Sequence, residues 1–322
     1  MNNFKKIGLT ALAGSLVATS VYAGEMSVSG SASWRISNHA GTDGGKTMAM
    51  GNQLTFTGSG EMDNGMNVAL SFILDQGDNT VDAEAATTAA GTGGPFDSHS
   101  ITISSDAMGS VVFAGEGASS AQNTIDTTAA GDIWDNTFTG YTAATNASAG
   151  TKTLTWTLPS MVDGLGVVTS YNGSSAGEEG TIGYALTYTG VEGLSVSYGV
   201  GEVGDTTAGT GGREITTYKA SYAFGPVTAA MSMNDYDITG ASNEEQSSYK
   251  ISYTVSDELS VSYGSETHET TGQATDEEFD QISVSYTSGG LTATVSQTNA
   301  DNITGATLTE QSKWNVGLSF AF

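Results

Sequence analysis

Large apolar residues alternate with small or polar ones through most of this chain, and the last nine residues show the pattern most plainly. In Trp314-Asn315-Val316-Gly317-Leu318-Ser319-Phe320-Ala321-Phe322 every even position is large and apolar. A period of two is that of an extended strand, so Trp314, Val316, Leu318, Phe320 and Phe322 leave one face of it. In a soluble protein a chain end is usually frayed and dispensable. A closed barrel in lipid needs a last strand that is apolar outward, polar inward and paired along its edge.

The same beat recurs along the chain. Met26, Val28, Gly30, Ala32, Trp34 and Ile36 alternate with Ser27, Ser29, Ser31, Ser33 and Arg35. After a Gly/Asp-rich loop, Leu54, Phe56 and Gly58 lead through Met62-Asp63-Asn64-Gly65 into Met66, Val68, Leu70, Phe72 and Leu74. A polar stretch over 75–98 precedes Ile101-Thr102-Ile103, and Asp106-Ala107-Met108-Gly109 turns into Val111-Val112-Phe113. Farther on, Ile182, Tyr184, Leu186 and Tyr188 meet Leu194, Val196 and Tyr198 through Gly190-Val191-Glu192-Gly193. The pattern predicts an all-β fold: a transmembrane antiparallel β-barrel of about sixteen strands, each near the ~10 residues of outer-membrane barrels. Short turns alternate with long loops, which predicts periplasmic turns, extracellular loops and both chain ends on the turn side. A soluble sandwich has no reason for that alternation, nor for Tyr and Trp gathered near strand ends. A secreted, repetitive β-adhesin has the strands but seldom an aromatic closing one.

The N-terminus sets the compartment. Lys5 and Lys6 precede an apolar run from Ile7 to Ala18, and Val21-Tyr22-Ala23 offers small residues for cleavage. This is signal-peptide anatomy, with residues 1–23 a removed leader and 24–322 one barrel domain. The run falls short of the ~20 residues that a spanning helix needs. The leader carries two lysines and no acid, so its removal takes the formal charge from −26 to −28. Export without any cysteine leaves stability to strand pairing rather than disulfides. Such acidity excludes nucleic acid as a partner.

One connection differs from the rest. From about Glu116 to Lys152 the alternation lapses, and Asp126, Asp132 and Asp135 sit beside Ile125, Ile133, Trp134 and Phe138. A loop of that length is functional or disordered, and its apolar residues predict that it packs against something. Strand parity, this loop after the fifth strand and the terminal Phe322 together resemble the general porin family of Gram-negative outer membranes, above all its acidic, glycine-rich alphaproteobacterial members. The resemblance implies a homotrimer surrounded by outer-membrane lipid and lipopolysaccharide, with the third loop folded into the barrel as a constriction. It implies that the Phe322 strand is read by the barrel-assembly machinery. It also implies a water-filled channel through which small hydrophilic solutes diffuse without chemistry.

Parity then assigns charges to the pore. Arg35 opposes Trp34, Lys219 opposes Tyr218, Lys250 opposes Tyr249, and Lys313 opposes Trp314, so all four point inward from the first, tenth, twelfth and sixteenth strands. A one-residue slip would place them in lipid at ~2–4 kcal/mol each near the midplane. The expectation is that this basic set faces the acidic side, Glu116, Asp126, Asp132 and Asp135, across the constriction, giving a transverse field. The overall charge predicts a mouth that concentrates cations, hence a modest cation preference that weakens with salt.

Other constellations are weaker. Asp75, Asp78, Asp82 and Glu84 form an oxygen-rich run that is a candidate for loop-bound Ca²⁺, without EF-hand spacing; a solvated acidic loop is the plainer reading, and no cofactor is required. His39, His99 and His268 fall in or beside predicted loops, scattered and without metal-ligand spacing. His99, between Ser98 and Ser100, is the only hint of hydrolytic chemistry, so no enzyme is expected. Nearly all Tyr, Trp and Phe carry outward parity, which argues against a lumen stacking track and so against a substrate-selective channel. Small outward residues on the first strand, Gly30 and Ala32, suit a protein contact more than bulk lipid.

Overall fold

The computed structural model describes residues 24–38, 46–75, 96–131, 133, 152–173, 180–202, 213–238, 243–303 and 310–322. Sixteen strands follow one another within them. The first five are β1 (Glu25–Asn38), β2 (Lys46–Glu61), β3 (Asn67–Asp75), β4 (Phe96–Ser105) and β5 (Gly109–Glu116). Then come β6 (Thr153–Thr157), β7 (Leu165–Asn172), β8 (Thr181–Tyr188), β9 (Leu194–Glu202) and β10 (Arg213–Phe224). The last six are β11 (Val227–Ile238), β12 (Glu244–Thr254), β13 (Leu259–Thr270), β14 (Glu277–Ser288), β15 (Leu291–Asp301) and β16 (Gln311–Ala321).

Each strand pairs antiparallel with its sequence neighbours, and β1 closes on β16 to make one barrel. Closure leaves no strand edge with unpaired backbone groups. It runs to the final residue: Phe322 N–H donates to Gly30 O at 2.9 Å, and Gly30 N–H donates to Phe322 O at 2.7 Å. The Phe322 ring lies over Gly30, and a Cβ on that glycine would stand 2.6 Å from it.

Directly opposed residues of an antiparallel pair share a face, so the register carries parity around the wall. Trp34 opposes Leu318 and Met50, whereas Arg35 opposes Gly317 and Ala49. The outer set includes Met50, Leu70, Ile101, Tyr184, Ile251 and Ile282, all large, apolar and exposed. Such a face needs hydrocarbon against it. Small and hydroxylated residues hold the inner face, where Thr187 meets Ser197 at 2.9 Å and Ser262 meets Ser283 at 2.8 Å.

Three features depart from the sequence reading. β2 begins at Lys46, well before Leu54, so Met48 and Met50 extend the outer apolar row through what reads as loop. The connections 239–243 and 271–276 are short although they lie at the loop end, because β11 and β13 run to 12 residues each. Tyr236 and Phe279 face inward, at 7% and 1% exposure, sharing parity with Asn234 and Gln281. At that end the outer face turns acidic, with Glu202 opposite Glu214, Glu214 opposite Asp237, Asp235 opposite Glu245, and Glu245 opposite Glu269. These carboxylates bound the apolar band on one side. Inside, apolar packing gathers in two clusters where the third long connection meets the wall: Ala121, Ile125 and Ala185, then Ala130, Ile133, Phe279, Ala300 and Ile303.

Candidate functional site

The third long connection enters the barrel directly after β5. Gly117 takes a φ of +68°, open to glycine at little cost, and turns the chain inward past Ser98. A 3-10 turn, Gln122–Thr124, follows. Backbone N–H groups brought inside a barrel need acceptors, and inward-facing side chains of β7, β12 and β13 supply them. Ala121 N–H donates to Ser170 Oγ of β7 at 2.7 Å. The Gln122 side chain adds a tie of its own, its Nε2 donating to Thr217 Oγ1 of β10 at 2.7 Å. The N–H groups of Ala129 and Ala130 converge on Ser248 Oγ of β12, at 3.1 and 2.8 Å. Ile133 N–H donates to the buried Glu266 carboxylate of β13 at 2.8 Å.

Glycines clear the path between these tethers. A Cβ on Gly199 would stand 2.9 Å from Ile125 Cδ1, and one on Gly264 would stand 2.8 Å from Ala130 Cβ. The segment therefore lies flat against one arc of the inner wall. The opposite arc keeps open volume: a recess of about 250 Å³ adjoins the inner faces of β15, β16, β1 and β2.

The charges expected at the constriction fall into different places. Asp126 lies on the inner segment and accepts from Lys219 Nζ at 2.7 Å; Lys219 also donates to Thr128 O at 2.9 Å. Lys219 is thus bound to the acidic segment instead of facing it across a gap. Glu116 stands outside the lumen. The register shift between His99 and Ser100 pairs Glu116 with His99, on the outer face of Ile101, so a bulge reverses the expected parity. Asp132 and Asp135 lie outside the described residues. Lys250 is inward and half-buried opposite Ala230 and Gly264. Lys313 is inward at 6% exposure, opposite Thr298. Arg35 is inward and half-buried, on the arc away from the tethers.

Asp75 ends β3, while Asp78, Asp82 and Glu84 lie outside the described residues, as does His39. Among the described residues no group of three or more His, Asp or Glu side chains is arranged to hold a metal. Both remaining histidines sit in strands rather than loops: His99 in β4 and His268 in β13. His268 is 2% exposed, with Nδ1 3.7 Å from Glu277 and Nε2 3.9 Å from Glu244, the carboxylates flanking opposite edges of the ring. Sequence reasoning misses this inward group, because acidic residues on the outer face at the loop end mask the apolar alternation.

A family model described as a Gram-negative porin matches residues 8–322. No curated protein sequence matches the chain. Among solved structures, the anion-selective porin from Comamonas acidovorans superposes with a TM-score of 0.65 at 13% identity, over 93% of this chain and 100% of that one. OmpF from Salmonella typhi in complex with daunomycin superposes with a TM-score of 0.69 at 14% identity, over 93% and 98%. OmpT from Vibrio cholerae, in its trimer form, superposes with a TM-score of 0.63 at 12% identity, over 93% and 100%. At these identities the likeness is one of fold.

Proposed function

The chain belongs to the Gram-negative porin family, and on that footing we propose that it is an outer-membrane channel for passive diffusion of small hydrophilic solutes and ions. The observation that carries this reading is that, among the described residues, the inner segment is tethered along one arc while a recess of open volume adjoins the opposite one. A barrel filled by a plug would have both arcs covered. The lumen wall is mostly serine, threonine and glycine, which hydrate well and hold no solute tightly.

The finer parts of the reading follow from the charges. Asp126, with Asp132 and Asp135, supplies the acidic side of the constriction; Arg35, Lys250 and Lys313 supply the basic side. The acidity of the whole chain gives the mouth a cation preference. The fold alone leaves the sign open, since one structural neighbour is described as anion-selective. In this reading residues 1–23 are removed at export, the barrel assembles as a homotrimer through the small outer residues Gly30 and Ala32, and the Phe322 strand engages the assembly machinery. Outer-leaflet lipid, including lipopolysaccharide, covers the loop-end half of the remaining outer face.

Single-channel recording on refolded residues 24–322 in a planar bilayer tests the reading. Large ohmic steps in groups of three, with a reversal potential on the cation side in a salt gradient, are expected. Silence from correctly folded barrels would favour a surface adhesin, and reversal on the anion side would sink the cation preference alone.

A further inference from the structure

The inner wall at β15, β16, β1 and β2 is hollowed where three small residues, Ala49, Gly51 and Gly317, come together. The resulting recess of about 250 Å³ is edged by the hydroxyls of Ser33, Ser319 and Thr292. A Cβ placed on Gly317 would approach nothing closer than 3.9 Å, so the hollow is open space. Arg35 stands over it, between Ala49 and Gly317 in the register. A niche of about 30 Å³ on the other side of Arg35 is bordered by Lys313 and Asn315. In that niche Asn315 Oδ1 is a buried acceptor with no donor.

Among the described residues the Arg35 guanidinium makes no hydrogen bond or ion pair, although the residue is half-buried in the wall. A guanidinium presents a planar fork of donors that matches a carboxylate or a phosphate two bonds at a time, and a lone ammonium has no such preference, so the choice between those anions falls to the hydroxyl contacts. Hydroxyl groups at the edges of the recess fit solute hydroxyls that both donate and accept.

We infer that this recess is a transit binding site for short hydroxylated carboxylates, with Arg35 holding the carboxylate and the wall taking the hydroxyls. The inference rests on the channel reading and adds a solute class to it. The acidic mouth lowers the local concentration of such anions, and the charge-assisted pair offsets this for solutes that reach the wall.

Block of potassium current through single wild-type channels by glycerate, glycerol and inorganic phosphate tests it. Glycerate is expected to reduce the current in a saturable way, glycerol of the same chain length to leave it unchanged, and phosphate to act more weakly than glycerate. Arg35→Gln should raise the half-blocking concentration of glycerate at least about tenfold, in keeping with the loss of a charge-assisted bond. Gly317→Val, which fills the hollow and leaves Arg35 in place, should weaken block as well. Arg35→Lys should rescue only part of it. Block unchanged in Arg35→Gln or in Gly317→Val, or phosphate as strong as glycerate, would overturn the assignment. An open channel that glycerate does not affect defeats this inference alone, whereas no channel at all defeats the reading beneath it.

Discussion

Gly30 and Phe322 lock the seam of the barrel from two directions. Their backbones exchange two hydrogen bonds, and the ring of one fills the space that the other leaves by having no side chain. Gly30→Leu would force the ring off β1, an overpacking cost of ~1–3 kcal/mol. The expected outcome is a lower denaturant midpoint in detergent, with Phe322→Ala combined with Gly30→Leu partly recovering it. A midpoint equal to wild type for Gly30→Leu alone would mean the ring contributes nothing to closure. Lys219 offers a second residue-scale test. Its pair with Asp126 is partly exposed, so its worth to stability is small, about 1 kcal/mol or less. Lys219→Met therefore leaves the midpoint within error but frees a carboxylate in the lumen, moving the reversal potential further to the cation side; Asp126→Asn moves it the other way. Equal shifts in one direction would show that the pair does not shape the field.

At the scale of elements, the inner segment is a strap laid over glycines and tied down by wall side chains. Ser248 is its busiest tie, accepting from Ala129 and Ala130 and donating to Glu266 at 3.4 Å. Ser248→Ala strands two buried N–H groups, at roughly 1–3 kcal/mol for an unmet group. That penalty falls on the strap, since the strand ladders on both sides of Ser248 are unaffected. The expected result is greater open-channel current noise at an unchanged unfolding midpoint; quiet channels would show that other ties suffice. The strands were legible in sequence because period two survives wherever one face is apolar, and the strap was legible because the period lapses between Glu116 and Lys152. The ties were not, since Ser170 and Ser248 look like any other inward serine of an alternating strand. Glu116 was misplaced because a bulge at His99 is an event of pairing and leaves no mark in composition. The enclosure of His268, near the end of β13, is not legible because that strand keeps its geometry past the point where its outer residues stop being apolar. Alternation reports the lipid boundary, and strands can outlast it.

The whole molecule carries two populations of charge at different distances from the pore axis. Near the axis are Asp126 with Lys219, and Arg35 and Lys250 on the wall. Far from it is the outer acidic row from Glu202 to Glu269. Their effects on selectivity separate by salt. At 0.1 M the Debye length is about 10 Å, so distant carboxylates still draw cations to the mouth; at 1 M it is about 3 Å and only charges at the constriction act. The outer row faces away from the lumen behind the barrel wall, so its share reaches the pore through the mouth. The cation-to-anion permeability ratio should therefore fall steadily between 0.1 and 1 M salt and level off at the value set by the inner charges. Neutralising the outer row with Glu245→Gln and Glu269→Gln together should lower the low-salt ratio and leave the high-salt plateau where it was, because neither side chain lines the passage. A ratio independent of salt would place all selectivity at the constriction, and a plateau that moves with the outer pair would show that the barrel wall does not separate the two populations.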